Sequence, residues 1–360
     1  MSIKHLELFS GIGGFRQAMD LLHRDFGVRF NSIGFSELDM NALNTYKLNF
    51  CTEGEVEIGD IVSFVNTKTG LRSLPDFDIL TGGFPCQAFS MMGNQKGFDD
   101  LRGNVFFKII EIAKVKKPCF LLLENVKNIL THNKKTTIAT IEQVIKDAGY
   151  NHVYHSVFNS NDFALPQTRN RVFIFASRKK LGANFGFNCS NVKQSFDNIT
   201  NDVSIMKHRY TFEVLEKSVD KKYYLSNVIK PTILSDGTKK FKSKSDIDQL
   251  IARPLTATMA KMHRACQDNY FSDDYLNADD PITYSKQHFT KKELAQKNIR
   301  RITPKEAFNL QGFDDEFYKK AKLAKTSDSQ LYKQAGNAVS VNTVYAILHF
   351  LFVESRLMEV

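Results

Sequence analysis

The chain has 360 residues, 42% of them hydrophobic and 24% charged, with 49 Lys and Arg against 39 Asp and Glu. This is enough apolar material for a large domain with a smaller one, and it excludes disordered, collagen-like and disulfide-scaffold classes. Five scattered cysteines, Cys51, Cys86, Cys119, Cys189 and Cys266, offer no CxxC pair and no zinc spacing, so they read as reduced thiols of a cytosolic protein, one of them available as a nucleophile.

In chain order, the opening residues MSIKHLELFS lack the basic region and apolar run of a signal peptide. A first strand is predicted at His5 to Phe9. It runs into Phe9-Ser10-Gly11-Ile12-Gly13-Gly14-Phe15, a glycine-rich turn feeding a helix, where missing β-carbons let a nucleotide-like ligand approach the backbone and the helix N-terminus. A dinucleotide fingerprint would need a third glycine where Arg16 stands, which weakens an NAD reading. A plain tight turn remains the alternative. The second strand, Phe30 to Glu37, ends in Glu37, placed where a carboxylate can accept two hydrogen bonds from a ribose diol. Asp60, after the next loop, is placed to hold an adenine amino group. Either acid alone reads more readily as a solvated surface carboxylate, but three such positions in order after successive strands point to a ligand.

A third strand, Phe77 to Thr81, ends in Gly82-Gly83 and enters Phe84-Pro85-Cys86-Gln87-Ala88-Phe89-Ser90. A lone Cys is usually a small buried hydrophobe. Here the proline constrains the loop, the glycines open space, and Cys86 is set up as an attacking thiolate. The strand Phe120 to Glu124 is apolar until it ends in a carboxyl, so Glu124 should emerge at the C-terminal edge of the sheet, where α/β ligands bind. Partial burial behind Leu121 to Leu123 would raise its pKa and let it donate a proton near neutral pH. Further strands are expected at Tyr150 to Phe158 and Val172 to Ala176. Ahead of the last, Gln167-Thr168-Arg169-Asn170-Arg171 sets two arginines two residues apart, pointing to one side of an extended chain. Two guanidiniums there suit anion and base-edge recognition, with a surface salt-bridged pair as the ordinary alternative.

The repeated alternation of strand and helix predicts a doubly wound α/β sheet. From about Lys179 to Arg300 the sequence turns polar and irregular, as in a smaller loop-rich lobe. Apolar helical patterns return at Pro304 to Leu310 and Ala338 to Phe352, which should pack back on the first domain. The longest apolar stretch, Val344 to Val353, is short and contains His349, so no membrane span is expected. Arg178 to Lys305 holds 24 Lys and Arg and 14 Asp and Glu, while the remainder holds 25 of each sign. A neutral body with one basic segment suits a polyanionic partner, because cations near phosphates release condensed counterions; on charge alone, a solvated basic surface kept for solubility is an equal alternative.

On these residues the chain resembles bacterial DNA cytosine-5 methyltransferases of the restriction-modification type, over residues 4 to 178 and 300 to 352. Phe9 to Phe15 matches the family's S-adenosylmethionine loop, Glu37 and Asp60 its cofactor acids, and Gly83-Phe84-Pro85-Cys86-Gln87 its nucleophile loop. Asp100 to Phe107 matches the following helix start, Glu124-Asn125-Val126 its catalytic ENV, and Gln167, Arg169 and Arg171 its QxRxR. Arg301 to Glu306 with Gln311-Gly312-Phe313, and Gln334-Ala335-Gly336-Asn337-Ala338-Val339, resemble its late motifs.

The resemblance implies a Rossmann-like S-adenosylmethionine-dependent methyltransferase domain with a smaller, loop-rich target-recognition domain. The expected divisions are 1–186 for catalysis and cofactor, 187–299 for target recognition, and 300–360 for late motifs packing on the catalytic domain. It implies Cys86, Glu124, Arg169 and Arg171 as catalytic residues. Phe9, Ser10, Gly11, Gly13, Gly14, Phe15, Glu37, Leu38, Asp60, Ile61, Pro85, Val105, Asn337 and Ala338 would bind S-adenosylmethionine, and no metal is expected. Cys86 would add to carbon 6 of a flipped-out cytosine, with Glu124 at ring nitrogen 3 and the exocyclic amine, Arg171 orienting the base and Arg169 supporting the loop. Gln87, Ser90, Met92, Gln167, Arg253, Thr256, Thr258, Lys261 and Arg264 are candidate DNA contacts. If Arg253-Pro254-Leu255 corresponds to the family's Thr-Leu, Pro254 lacks the hydroxyl. Met92 sits where some relatives carry a small polar residue that enters the DNA. The partner is double-stranded DNA, with a cognate restriction endonuclease; a monomer acting in the cytoplasm at the nucleoid, away from membranes, is expected. A relative acting on transfer RNA is the nearer alternative, and an NAD-dependent oxidoreductase the remoter one.

Overall fold

The computed structural model describes residues 2–67, 69–85, 105–200, 202–237, 240 and 242–359. They divide into two compact units. The first takes Met1–Asn159, Asn170–Ile205 and Val339–Val360, and the second takes Ser160–Arg169 and Met206–Ala338.

In the first unit the alternation of strands and helices produces a seven-stranded sheet of order β3-β2-β1-β4-β5-β7-β6 among the described residues. The strands are β1 (Ser2–Leu8), β2 (Arg29–Phe35), β3 (Val56–Glu57), β4 (Ile79–Gly83), β5 (Phe120–Val126), β6 (His152–Asn159) and β7 (Asn170–Ser177). The helices α1 (Gly14–Phe26), α2 (Met40–Asn49), α3 (Ile61–Asn66) and α4 (Val105–Lys116) lie between successive members of β1 to β5, whose pairings are all parallel. Crossover helices return the chain to the same end of the sheet, so those neighbours run parallel. α5 (Thr136–Asp147) follows β5 and leads into β6, while β7 pairs antiparallel with both β5 and β6.

β5 is apolar from Phe120 to Leu123 because both faces are covered there. Leu121 and Leu123 join a cluster with Leu6, Leu80, Ile109 and Ile112. Phe120 faces the other way, stacking on Phe175 and meeting Phe352 edge-on. α6 (Cys189–Asp197) and the C-terminal helix Val341–Leu348 cover that side of the molecule: Ser195 Oγ lies 3.0 Å from His349 Nδ1, and Tyr345 donates to Asp25 at 2.6 Å. One helical run, Asp328–Glu354, has the length and hydropathy of a membrane span, but it is mostly buried, as a core helix is.

The second unit is loop-rich. Its strands β8 (Tyr270–Ser272) and β9 (Ile299–Arg301) pair antiparallel over a small core of Leu225, Ile233, Leu234, Tyr270 and Ile299. Its boundaries differ from those expected from the sequence. Residues 187–205 belong to the first unit and 300–338 to the second. Arg300 is the reason for the latter: its guanidinium is wholly buried against Glu306 at 2.7 Å, and Glu306 closes a capping box with Thr303 at the start of α7 (Pro304–Asn309). A buried charge must keep its partner, so the segment after β9 stays with the strand that carries it. Ser160–Arg169, inserted between β6 and β7, joins this unit by backbone bonds from Thr168 to Ala252 and from Ala252 to Pro166, each 2.8 Å.

Candidate active site

Because β1, β2, β4 and β5 are parallel and adjacent, their C-terminal ends open on one edge of the sheet, and the strand order reverses between β1 and β4. That edge is where open α/β sheets form a ligand crevice. After β1 the backbone turns sharply, with positive φ at Phe9, Gly11 and Gly13. Ser36, just past β2, ties the turn down. Its Oγ accepts from Phe9 N at 3.0 Å and its carbonyl from Ser10 N at 2.9 Å.

Glu37 accepts three backbone N–H groups, from Gly11 at 2.8 Å, Leu38 at 2.8 Å and Asp39 at 2.7 Å. The carboxylate predicted to meet a ribose therefore also fastens the glycine turn. Asp39 then caps α2, a role the sequence reading did not assign. Asp60 caps α3, accepting from Val62 N, Ser63 N and the Ser63 hydroxyl, and these bonds, the hydroxyl foremost, hold its carboxyl below the usual carboxylate range.

Two observations fit a ligand at this turn. Ser10 Oγ is buried without a hydrogen-bond partner among the described residues, and Leu38, next to Glu37, is 69% exposed. Several of the other predicted cofactor residues are packed tightly. A β-carbon on Gly13 would lie 2.2 Å from the Phe50 ring and one on Gly14 2.5 Å from Val339. Phe15 and Ile61 are buried, Phe15 edge-on to Phe173. Pro85 is exposed and Val105, at the start of α4, half-buried. Arg16, where a dinucleotide fingerprint would have glycine, is ion-paired to Glu55 at 2.7 Å and donates to the Cys51 carbonyl.

Beneath the turn lies a buried polar layer unmarked in the sequence reading. Tyr46 donates to Glu7 at 3.1 Å, and burial pushes the Glu7 carboxyl up to about 8. His5, 2.7 Å from Thr81 Oγ1, is held down to about 3 by burial and so stays neutral.

At the end of β5, Arg171 Nε lies 2.9 Å from Glu124 Oε1. The register explains the pairing. Arg171 stands opposite Val126, and Glu124, two residues earlier, shares that face of the sheet. Gly83 pairs with Glu124 across β4 and β5, and a β-carbon there would sit 3.0 Å from Glu124 Oε2, so the glycine leaves the carboxylate room. Asn125 donates to the Phe84 carbonyl at 2.8 Å while its own Oδ1 accepts from Val126 N. It thereby fixes the chain entering the predicted nucleophile loop, and its place directly after Glu124 was the signal. Cys86, Gln87, Ser90, Met92 and Asp100 to Asn104 lie outside the described residues.

In the second unit, Arg169 parts company with Arg171. It is buried and donates to the carbonyls of Leu255 at 3.0 Å, Gly336 at 3.0 Å and Ala338 at 2.8 Å. The expectation that both arginines point to one side is corrected, because β7 begins only at Asn170. Gln167 is corrected as a DNA contact. It is fully buried, with its amide donating to Leu310 O and accepting from Leu255 N. Arg253 turns inward to Asp246 at 2.5 Å and to the Ala265 carbonyl. Arg264 donates to Thr256 Oγ1 at 2.7 Å and Thr258 Oγ1 at 3.0 Å and pairs with Asp268 at 2.9 Å, so it too is spent inside the protein. Of this predicted set Lys261 and Thr258 are exposed, Asn337 is exposed, and Ala338 is buried. Among the described residues no group of His, Cys, Asp and Glu is gathered as a metal site.

The model of the C-5 cytosine-specific DNA methylase family matches residues 3–352. The chain is 36% identical over 347 residues to the Type II methyltransferase M1.ScrFI of Lactococcus lactis subsp. cremoris, covering 96% of this chain and 76% of that protein. It is 34% identical over 354 residues to the Type II methyltransferase M.HpaII of Haemophilus parainfluenzae, covering 95% and 87%. Among solved structures, the Dnmt2 methyltransferase of S. pombe shares the fold with a TM-score of 0.71 at 18% identity, covering 98% of this chain and 99% of that one.

Proposed function

The chain belongs to the C-5 cytosine-specific DNA methylase family, and from that membership we propose a route by which its own residues methylate carbon 5 of cytosine. It is a DNA cytosine-5-methyltransferase, akin to the enzymes of Type II restriction-modification systems, and its family and relatives support neither the RNA nor the oxidoreductase alternative.

The observation that carries the mechanism is the Glu124–Arg171 pair, held on one sheet face at the C-terminal edge beside the entry to the Cys86 loop. Carbon 5 of cytosine is a poor nucleophile. Addition of the Cys86 thiolate to carbon 6 makes the ring an enamine with nucleophilic character at carbon 5. Glu124 hydrogen-bonds ring nitrogen 3 and the exocyclic amine, favouring protonation at nitrogen 3 as charge builds on the ring. Arg171 orients the Glu124 carboxylate and the base. Carbon 5 would take the methyl from the sulfonium, whose sulfur would keep the electron pair of the broken bond as a thioether, and loss of the proton on carbon 5 and of the thiolate from carbon 6 then restores the aromatic ring. The target must leave the duplex for these contacts to form.

Ser10, Gly11, Glu37, Leu38 and Asp60 are the residues that would hold S-adenosylmethionine, with the Ser10 hydroxyl, which has no partner among the described residues, and the exposed Leu38 side chain as the supporting features. When bound, that group supplies an electrophilic methyl on sulfonium. Glu37 keeps the turn closed against it through Gly11 N. The basic segment between Arg178 and Lys305 gives phosphate affinity, and the protein acts in the bacterial cytoplasm, as a monomer, protecting DNA from a cognate endonuclease.

The test is expression in a host without cytosine methylation, followed by bisulfite sequencing. Protected cytosines at one short recurring sequence are expected, and uniform conversion would overturn the proposal.

A further inference from the structure

The stretch from Lys127 to Lys135, which follows β5 directly, carries three lysines and a histidine and no acid. Outside Arg178–Lys305 the chain holds equal numbers of each sign, so this is a local concentration of charge and not a share of a general excess. Lys127, Lys134 and Lys135 are exposed, and none of them has an ion-pair partner among the described residues. Lys108, Lys116 and Lys193 of the same unit are each paired. Asn133, Lys134 and Lys135 have left-handed φ, at 48°, 53° and 73°. Residues with a β-carbon enter that region singly and at a cost, so a run of three, two of them lysine, persists only where its surroundings hold it. Here Ile129 before the run and Thr137 and Ile138 after it are buried. Thr136 Oγ1 donates to the Asn133 carbonyl at 2.8 Å, and His132 Nδ1 lies 2.7 Å from Thr137 Oγ1. The turn is fixed at both ends while its two lysines stay exposed.

Val126 stands opposite Arg171, and Lys127 comes three residues after Glu124, so the Cα atoms of Lys127 and Glu124 are no more than about 11 Å apart. The segment His132–Lys135 approaches Lys127–Leu130 to within 8 Å between Cα atoms. All of these residues lie in the first unit, together with the Glu124–Arg171 pair. A cytosine held by that pair carries a phosphate on either side of its sugar, and the first lysines after Glu124 in the chain are these three. We propose that Lys127, Lys134 and Lys135 form a phosphate site for the target strand beside the flipped cytosine. This rests on the DNA methyltransferase reading and deepens it. An ammonium binds phosphate as a point charge and reads no base, so the site gives affinity and register while sequence choice lies elsewhere.

The test measures binding of a duplex carrying the sequence that bisulfite mapping identifies, by fluorescence anisotropy from about 50 to 200 mM salt. It compares full-length wild type with Lys127→Gln, Lys134→Gln/Lys135→Gln and the charge-keeping Lys134→Arg/Lys135→Arg. A further variant, Lys114→Gln/Lys117→Gln, removes two exposed charges ahead of the opposite end of β5. Each lost phosphate contact flattens the slope of log affinity against log salt by about 0.9. Lys127→Gln is expected to flatten it by that amount. Lys134→Gln/Lys135→Gln should flatten it by about twice as much and weaken binding about tenfold at the lowest salt. The arginine variant and Lys114→Gln/Lys117→Gln should keep the wild-type slope, and every variant should methylate the same sequence. An unchanged slope in Lys127→Gln or Lys134→Gln/Lys135→Gln, an equal flattening in Lys114→Gln/Lys117→Gln, or a changed methylated sequence would overturn the phosphate site while leaving the methyltransferase reading intact. Absence of any methylated sequence from wild type would overturn that reading instead.

Discussion

Arg171 and Glu124 meet at 2.9 Å across neighbouring antiparallel strands, on one face of the sheet and at the edge where the parallel strands end. The pair is placed by register, so its geometry does not depend on a flexible loop. Glu124→Gln keeps the size of the side chain but removes its charge. It should lower kcat by roughly 10²-fold or more while leaving S-adenosylmethionine affinity nearly unchanged. Single-turnover methylation and calorimetric cofactor binding separate the two, and a defect confined to cofactor affinity would count against the role given to Glu124.

Cys86→Ala should abolish methyl transfer and retain DNA binding, because the thiolate makes the bond to carbon 6 and little of the DNA affinity. A duplex carrying 5-fluorocytosine at the target should become covalently trapped on wild type and not on this variant. Turnover by Cys86→Ala would refute the covalent route.

Arg169→Ala should be a stability variant. It leaves the carbonyls of Leu255, Gly336 and Ala338 without their buried donor, at a cost of about 2–4 kcal/mol. Gly336→Ala acts on the same place, since its β-carbon would lie 2.3 Å from the Thr256 backbone. Urea unfolding of the full chain measures both, and native stability in either would mean that the segment relaxes without help from these contacts.

Burial raises the folded pKa of Glu7 from 4.5 to about 8, against the opposing effects of Arg16 and the Tyr46 hydroxyl. The folded chain therefore holds this proton more tightly than the unfolded chain does. Its contribution is fully present below about pH 4.5 and is lost as pH rises through about 8. Glu7→Gln stays neutral, so its melting temperature should exceed that of wild type at about pH 9 and converge toward it near about pH 5. Parallel curves would show that Glu7 ionises without cost.

Exchanging residues 206–299 for those of a relative with another target should change the methylated sequence, because the exposed candidates Thr258 and Lys261 lie within them. Bisulfite mapping reads the result, and an unchanged site would locate recognition elsewhere.

The sequence by itself determined the class of chemistry and most of the sheet's strands. The alternation of β1, β2, β4 and β5 with helices, the glycine turn after β1, the carboxyl at the end of β5 and the cysteine after Pro85 are local patterns, and local patterns follow from backbone sterics and burial; the two-residue β3 is too short to carry one. What tertiary structure alone decided was the fate of individual side chains. Arg169 and Arg171 look equivalent in sequence, yet one reaches the Glu124 carboxylate and the other three buried carbonyls. Arg253 and Arg264 count as positive charge in the composition, yet Asp246 and Asp268 claim them inside the fold. Gly13 and Gly14 read as space for a ligand, yet Phe50 and Val339 fill that space. Periodicity says which way a side chain points, while its partner is supplied by strands and loops far along the chain, through pairings that no local window contains.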